Sequence, residues 1–142
     1  MPGIAAYPLI TVKRLKESRD FYLRCFGMTV IFEATWVVML SDRDDGTITL
    51  GLMSRDHPTN PPGPETFDGQ GMILTVQVAD AAEAFAGLKA LAVPMVYPLK
   101  DEPWGQRRFM TRDPSGILID VVEQIEPAGG YWDKYIPSSG GL

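Results

Sequence analysis

The chain has 142 residues, 45% of them hydrophobic and 22% charged, with a formal net charge of −5. A chain of this length buries roughly two-thirds of its unfolded surface, enough for one domain or two half-domains sharing a core. The composition excludes a disordered chain. No apolar run approaches the roughly 18–20 residues of a membrane span, and the acidic balance makes nucleic acid and anionic membranes poor partners.

The start of the chain, Met1 to Ala6, has neither the basic region nor the apolar core of a signal peptide. The single cysteine, Cys25, leaves no internal disulfide and no Cys-based zinc cluster to expect. A cytoplasmic location is the expectation.

The first strand is predicted over Tyr7 to Val12. A helix follows from Leu15 to Phe26, with Phe21, Tyr22, Cys25 and Phe26 at helical spacing. Gly27 ends it, because glycine tolerates the left-handed conformation after a helix. Three β-rich runs come next: Thr29–Ala34, Trp36–Leu40 and Thr47–Met53. Asp44-Asp45-Gly46 makes the turn between the last two.

The stretch from Arg55 to Gly71 holds four prolines and no apolar periodicity. It reads as a long loop, which inside a compact chain points to a function or a module boundary. A strand from Met72 to Val78 follows. Asp80 and Glu83 form a capping-box pattern ahead of a helix over Ala81 to Leu91. Three more strands are predicted: Val93–Leu99, Gln106–Thr111 and Ile117–Glu123. Asp113-Pro114-Ser115-Gly116 supplies the last hairpin turn. From Pro127 the chain turns Gly/Pro/Ser-rich yet keeps Tyr131, Trp132, Tyr135 and Ile136. Tyr131 and Trp132 are expected to pack on something, and Ser138 to Leu142 to be loose.

The order β-α-β-β-β therefore occurs twice, and such a repeat dominates the choice of fold. The expected architecture is α+β: two tandem βαβββ modules, 1–54 and 72–126, forming a cleft between two curved mixed sheets. A linker at 55–71 joins them and an aromatic tail occupies 127–142. Each helix covers one face of its sheet, and the other face lines the cleft. Strand alternation sends Ile10, Val12, Leu74, Val76, Val78, Ile117, Ile119 and Val121 to the helix side. It leaves Tyr7, Leu9, Thr11, Ile73, Thr75, Gln77, Leu118, Asp120 and Val122 for the cleft.

Several motifs now combine. Val12-Lys13-Arg14-Leu15, then Ser18, Phe21-Tyr22 and Phe26-Gly27, resembles the opening of a vicinal oxygen chelate module. Val78-Ala79-Asp80 opens the second module in the same way. Glu102-Pro103-Trp104-Gly105-Gln106-Arg107-Arg108-Phe109, followed by Asp113-Pro114-Ser115-Gly116, is similar to the closing hairpin of the glyoxalase and bleomycin-resistance branch. In order and at this spacing, across residues 5–125, they identify the chain as a relative of the superfamily that also includes extradiol dioxygenases. Asp56-His57-Pro58 and the aromatic tail resemble a bacterial branch of it. Arg14 stands where an acidic residue is usual, and Ala92 where glycine is usual. A left-handed Ala92 would carry roughly 1–2 kcal/mol of strain.

The resemblance implies a divalent cation held by four cleft-facing His, Gln or Glu side chains. The matching positions here are Tyr7, Thr49, Ile73 and Asp120. Ile73 cannot bind a metal, Tyr7 and Thr49 are poor ligands when neutral, and only Asp120 is a good one. A catalytic divalent cation needs about three protein ligands. No metal and no other cofactor are expected.

Asp120, between Ile119 and Val121, reads either as a carboxylate for a cationic ligand or general-base work, or as a structural Asp paired with Arg107 or Arg108. His57, the single histidine, is a candidate ligand contact or a solvated loop residue. Cys25 belongs to the helix's apolar side, not to a nucleophile site. Tyr7, Trp36, Trp104 and Phe109 are candidates to stack on a flat ligand, against ordinary strand packing. Arg107 and Arg108 alternate on one strand, so one faces the cleft; Arg107 is assigned to it with Phe109. Thr49, Ile73, Thr75 and Gln77 complete the expected ligand-binding set.

Two classes of function follow. The first is a metal-free protein that holds an aromatic or cationic small molecule by stacking and a few polar groups. The second is a lyase, isomerase or dioxygenase with an atypical metal site or with Asp120 as general base. A C2 homodimer is expected from the repeat and the resemblance.

Overall fold

The structure is a computed structural model that describes residues 1–137. The segment 138–142, expected to be loose, lies outside the described residues. Ten elements follow in order: β1 (Leu9–Thr11), α1 (Leu15–Phe26), β2 (Thr29–Glu33), β3 (Val37–Ser41), β4 (Leu50–Met53), β5 (Leu74–Gln77), α2 (Ala81–Ala90), β6 (Met95–Glu102), β7 (Gln106–Arg112) and β8 (Leu118–Gln124). The βαβββ order occurs twice, in two four-stranded mixed sheets ordered β1-β4-β3-β2 and β5-β8-β7-β6. No helix among the described residues is long and apolar enough to cross a membrane.

The chain divides into two compact units. The first comprises Met1–Met72 together with the turn Asp113–Ile117; the second comprises Ile73–Arg112 and the described chain from Leu118 onward.

In the first unit, β1 runs parallel to β4, and β4-β3-β2 are antiparallel. Ile10 pairs with Leu52, and Leu52 with Val38. All three are buried on the α1 side, as alternation from β1 requires. Tyr22 and Phe21 fill the helix face in edge-to-face contact at 5.4 Å. α1 ends on Gly27 with φ 63°. Burial raises the Cys25 thiol's pKa, which disfavours the thiolate.

A buried polar cluster ties the 113–117 turn to α1. Asp113 Oδ1 accepts from the backbone N–H groups of Ser115 (2.9 Å) and Ile117 (2.8 Å). Its Oδ2 accepts from the Tyr22 hydroxyl at 3.1 Å. Ser18 and Ser115 share a hydrogen bond of 2.6 Å. Tyr22 is fully buried, and burial followed by the Asp113 charge pushes its phenol far above the ordinary value. Its proton therefore stays in place across the accessible pH range.

In the second unit, β5 runs parallel to β8 and the rest is antiparallel. Asp80 caps α2 by accepting from the Glu83 N–H at 3.0 Å. Phe85 of α2 meets Phe109 of β7 edge-to-face at 5.1 Å. Phe109 pairs with Val121, and Val121 with Val76. That row is the core face. The neighbouring row, Thr75, Asp120, Met110 and Tyr97, lies on the face away from α2.

α2 closes with paired backbone bonds from Ala92 N to Lys89 O (2.9 Å) and Val93 N to Leu88 O (3.1 Å). Val93 packs in the core with Leu88, as this closure favours. The closure needs a left-handed residue, and the chain puts Ala92 there, at φ 59°. It is the one non-glycine residue at positive φ among those described. The Ala92 Cβ carries strain of about 1–2 kcal/mol. Ala92→Gly removes it but loosens the unfolded chain, so a net gain of about 0.5–1 kcal/mol is expected. Urea unfolding should show a higher midpoint at unchanged slope.

Candidate functional site

The chemistry of the second unit collects around Arg108. β7 alternates, and Phe109 takes the core side, so Arg108 emerges on the face away from α2. There its guanidinium sits over the Trp104 ring at 4.9 Å and the Tyr97 ring at 5.2 Å. Its Nε donates to Glu102 Oε2 at 2.8 Å. The Tyr97 hydroxyl donates to the same oxygen at 3.0 Å. Lys100 Nζ lies 3.9 Å from the other Glu102 oxygen.

Asp120 stands on the neighbouring strand. Its Oδ1 is buried, lies 3.7 Å from Arg108 Nη1, and has no hydrogen-bond partner. The whole residue is 6% exposed and Glu102 is 4% exposed. These two carboxylates titrate in opposite directions. Burial pushes Glu102 up, but the hydrogen bonds from Arg108 and Tyr97 outweigh it and hold the carboxyl below its ordinary value. Burial pushes Asp120 up as well; the Arg108 charge opposes this, the Glu102 charge adds to it, and the net shift is upward.

The turn between β6 and β7 holds Trp104 and Glu102 in place. The Trp104 indole N–H donates to Gln106 Oε1 at 2.9 Å. The chain that follows β8 straps the turn. Ile125 N bonds Gly105 O and Ala128 N bonds Pro103 O, both at 2.9 Å. The Trp132 indole N–H donates to the Trp104 carbonyl at 2.9 Å, and the Tyr131 ring lies 6.4 Å from that of Trp104. So Tyr131 and Trp132 do pack, on the turn that carries the site. Gly105 has φ 109°, and a Cβ there would meet the Ile125 carbonyl at 3.0 Å.

The remaining expected residues lie as follows. Thr75 is exposed beside Asp120 in register, and exposed Gln77 accepts from the Gln124 amide at 3.1 Å. Ile73 is exposed just ahead of β5. Two assignments are corrected. Phe109 faces α2, not the opposite side, because its large ring fills the core against Phe85. Arg107 shares that parity: it bonds Asp101 at 2.6 Å and reaches Glu123 at 3.8 Å, whose carboxylate caps the Ala81 N–H. Arg108 is the residue beside Asp120. Tyr97 and Glu102 were not expected at the site. Alternation alone does not find both: they are five residues apart on β6, and a register shift between Tyr97 and Lys100 brings them to the same face.

The first unit holds the other four. Tyr7 is exposed ahead of β1. Trp36 is half-buried in a groove of about 540 Å³ with Lys13, Arg14, Ser54 and Asp56. The Thr49 hydroxyl accepts from the Asp42 N–H at 3.0 Å. His57 is buried in the Pro-rich loop, with Nε2 2.9 Å from the Gly63 carbonyl and Nδ1 2.9 Å from the Thr59 hydroxyl. Both ring nitrogens are spent within the loop, leaving none for a ligand.

The donor set does not fit the divalent cation that the resemblance implies. Ile73 has no lone pair to offer, and Asp120 already faces a guanidinium. Among the described residues, no three His, Cys, Asp or Glu side chains gather as a metal site.

The sequence profile of the Glyoxalase/Bleomycin resistance protein/Dioxygenase superfamily matches residues 4–121. The chain belongs to that superfamily. No curated protein matches it significantly. Among solved structures it is similar to a glyoxalase/bleomycin resistance protein/dioxygenase from Nocardioides, at 22% identity and TM-score 0.68 over 89% of this chain and 85% of that one. A lactoylglutathione lyase from Agrobacterium tumefaciens matches at 22% identity and TM-score 0.66, over 86% and 95%. A protein of unknown function from Agrobacterium tumefaciens str. C58 matches at 24% identity and TM-score 0.68, over 88% and 98%. At these identities the likeness establishes the fold.

The opposed carboxylates give a paired expectation. A carboxyl with a lowered pKa stabilises the fold above its unfolded pKa and loses that as pH falls; one with a raised pKa weakens the fold once ionised. Glu102→Gln is therefore expected to cost about 1–3 kcal/mol at pH 7. Asp120→Asn is expected to unfold at or above the wild-type urea midpoint. Both differences should shrink at pH 4.

Proposed function

We propose that this chain is a small-molecule-binding member of its superfamily. The ligand is aromatic, neutral or cationic, and carries an N–H or O–H donor for Asp120. The observation behind this reading is the buried Asp120 Oδ1, which faces the Arg108 charge at 3.7 Å but accepts no hydrogen bond. Leaving such an acceptor unpaired costs about 1–3 kcal/mol, and native proteins rarely keep one without a role. Thr75 and Gln77 add exposed polar groups nearby, and Tyr97 and Trp104 add aromatic surface. The test is a fluorescence titration with an acridine cation, a planar aromatic that carries N–H donors. Saturable binding is expected, weakened about 10–100-fold in Asp120→Asn, the loss expected for a hydrogen bond to a charged group. Equal affinity in both proteins would remove Asp120 from the reading.

The raised carboxyl of Asp120 supports a second reading, that of general base in a lyase or isomerase. The similar structure that is a lactoylglutathione lyase points the same way. Exchange of a ligand's α-proton with D2O, lost in Asp120→Asn, would make this chain an enzyme.

We further propose a homodimer. The edge strand β2 exposes Val30, Ile31 and Phe32 together, apolar surface that a second copy would cover. Light scattering should give twice the chain mass, and Phe32→Lys should shift it toward the monomer. A monomer at micromolar concentration contradicts the dimer.

A further inference from the structure

We propose that Arg108 is the specificity-determining residue of this site, a built-in cation between Glu102 and Asp120 that keeps a metal ion from binding the pair. Two carboxylates this deeply buried need a positive charge within reach. One guanidinium supplies it to both, with Nε at 2.8 Å from Glu102 and Nη1 at 3.7 Å from Asp120. Its plane is fixed by ring faces at 4.9 and 5.2 Å, so it does not swing out to admit an ion.

The unequal sharing is informative. A divalent ion small enough to bind both carboxylates would draw each to about 2.0–2.6 Å. The planar fork hydrogen-bonds one Glu102 oxygen and stops short of Asp120, because its donors point in fixed directions. Glu102 Oε2 thereby accepts two hydrogen bonds, from Arg108 and Tyr97, while Asp120 Oδ1 has the Arg108 charge nearby but accepts no hydrogen bond. The guanidinium thus leaves one hydrogen-bonded carboxylate and one charge-compensated carboxylate whose Oδ1 accepts no hydrogen bond. This inference concerns the cation and stands whether or not the acridine probe binds.

The test removes the guanidinium. Arg108→Ala and the bulkier Arg108→Met leave Glu102 and Asp120 without it, and both are oxygen donors suited to Mn2+. Mn2+ affinity, read by titration calorimetry and by the loss of the free-ion paramagnetic signal, is expected to rise about tenfold or more over wild type, the size of one lost charge pairing. Arg108→Lys keeps a cation and should show no gain. Adding Asp120→Asn to Arg108→Ala should abolish the gain.

Where a variant folds only with Mn2+ present, as read by circular dichroism, the ion has replaced the guanidinium and the proposal stands. The proposal is overturned if Arg108→Ala and Arg108→Met bind Mn2+ no more tightly than wild type, or stay unfolded with Mn2+ as without it. It is equally overturned if wild type binds Mn2+ as tightly as the variants and Glu102→Gln weakens that binding.

Discussion

Two carboxylates buried on one sheet face set the problem that the second unit solves. A buried carboxylate without a counter-charge is far more costly than the margin by which a small domain is stable. Arg108 answers for both, and its placement dictates the neighbourhood. A guanidinium half out of water needs its plane fixed, which Tyr97 and Trp104 do from two sides. Trp104 in turn sits on a turn that must not move. Ile125 and the tail's Ala128 provide that with one backbone hydrogen bond each, and the Trp132 indole adds a third. A charge requirement on β6 and β8, met from β7, thus propagates to residues beyond residue 126 that otherwise look dispensable.

Gly105 shows how tightly this chain of support is built. Its φ lies in the region that favours glycine, and the tail's carbonyl lies where a side chain would begin. The turn can therefore approach the tail closely, and the tail can reach Trp104. The first unit uses a different device for a similar end. Asp113 spends one oxygen on the turn's own N–H groups and the other on Tyr22, so a hairpin turn from late in the chain belongs to the first unit.

The repeat, the helices and the order of elements along the chain are legible in the sequence because each rests on local rules; the order of strands within each sheet comes from the structure. Phe21, Tyr22 and Gly27 define α1, and Asp80 with Glu83 defines the start of α2. Strand ends were less legible. Thr47 to Thr49 read as strand, but hydrogen bonds from the Asp42–Thr47 turn hold them outside β4. The site was half legible. Asp120 and Trp104 stood out as a charge on an apolar strand and an indole in a turn. Arg107 was chosen over Arg108 because alternation gives two solutions, and only the Phe85–Phe109 contact selects one. Glu102 and Tyr97 were hidden for the same reason: their relevance depends on β6 pairing across to Arg108, with two register shifts on the way.

His57 and Thr49 show why residue type alone misleads. Both carry chemistry that binds ligands, and in both the fold has used it. The His57 imidazole closes the Pro-rich loop onto Gly63 and Thr59, and the Thr49 hydroxyl receives the Asp42 N–H. Asp120 is the opposite case: its buried Oδ1 is charge-compensated by Arg108 but accepts no hydrogen bond. Membership of the superfamily fixes how these strands are ordered but not which chemistry they carry. The discriminating quantity is the hydrogen-bond account of each polar side chain. A satisfied group is part of the scaffold, and an unsatisfied buried one is where a ligand gains the most by arriving.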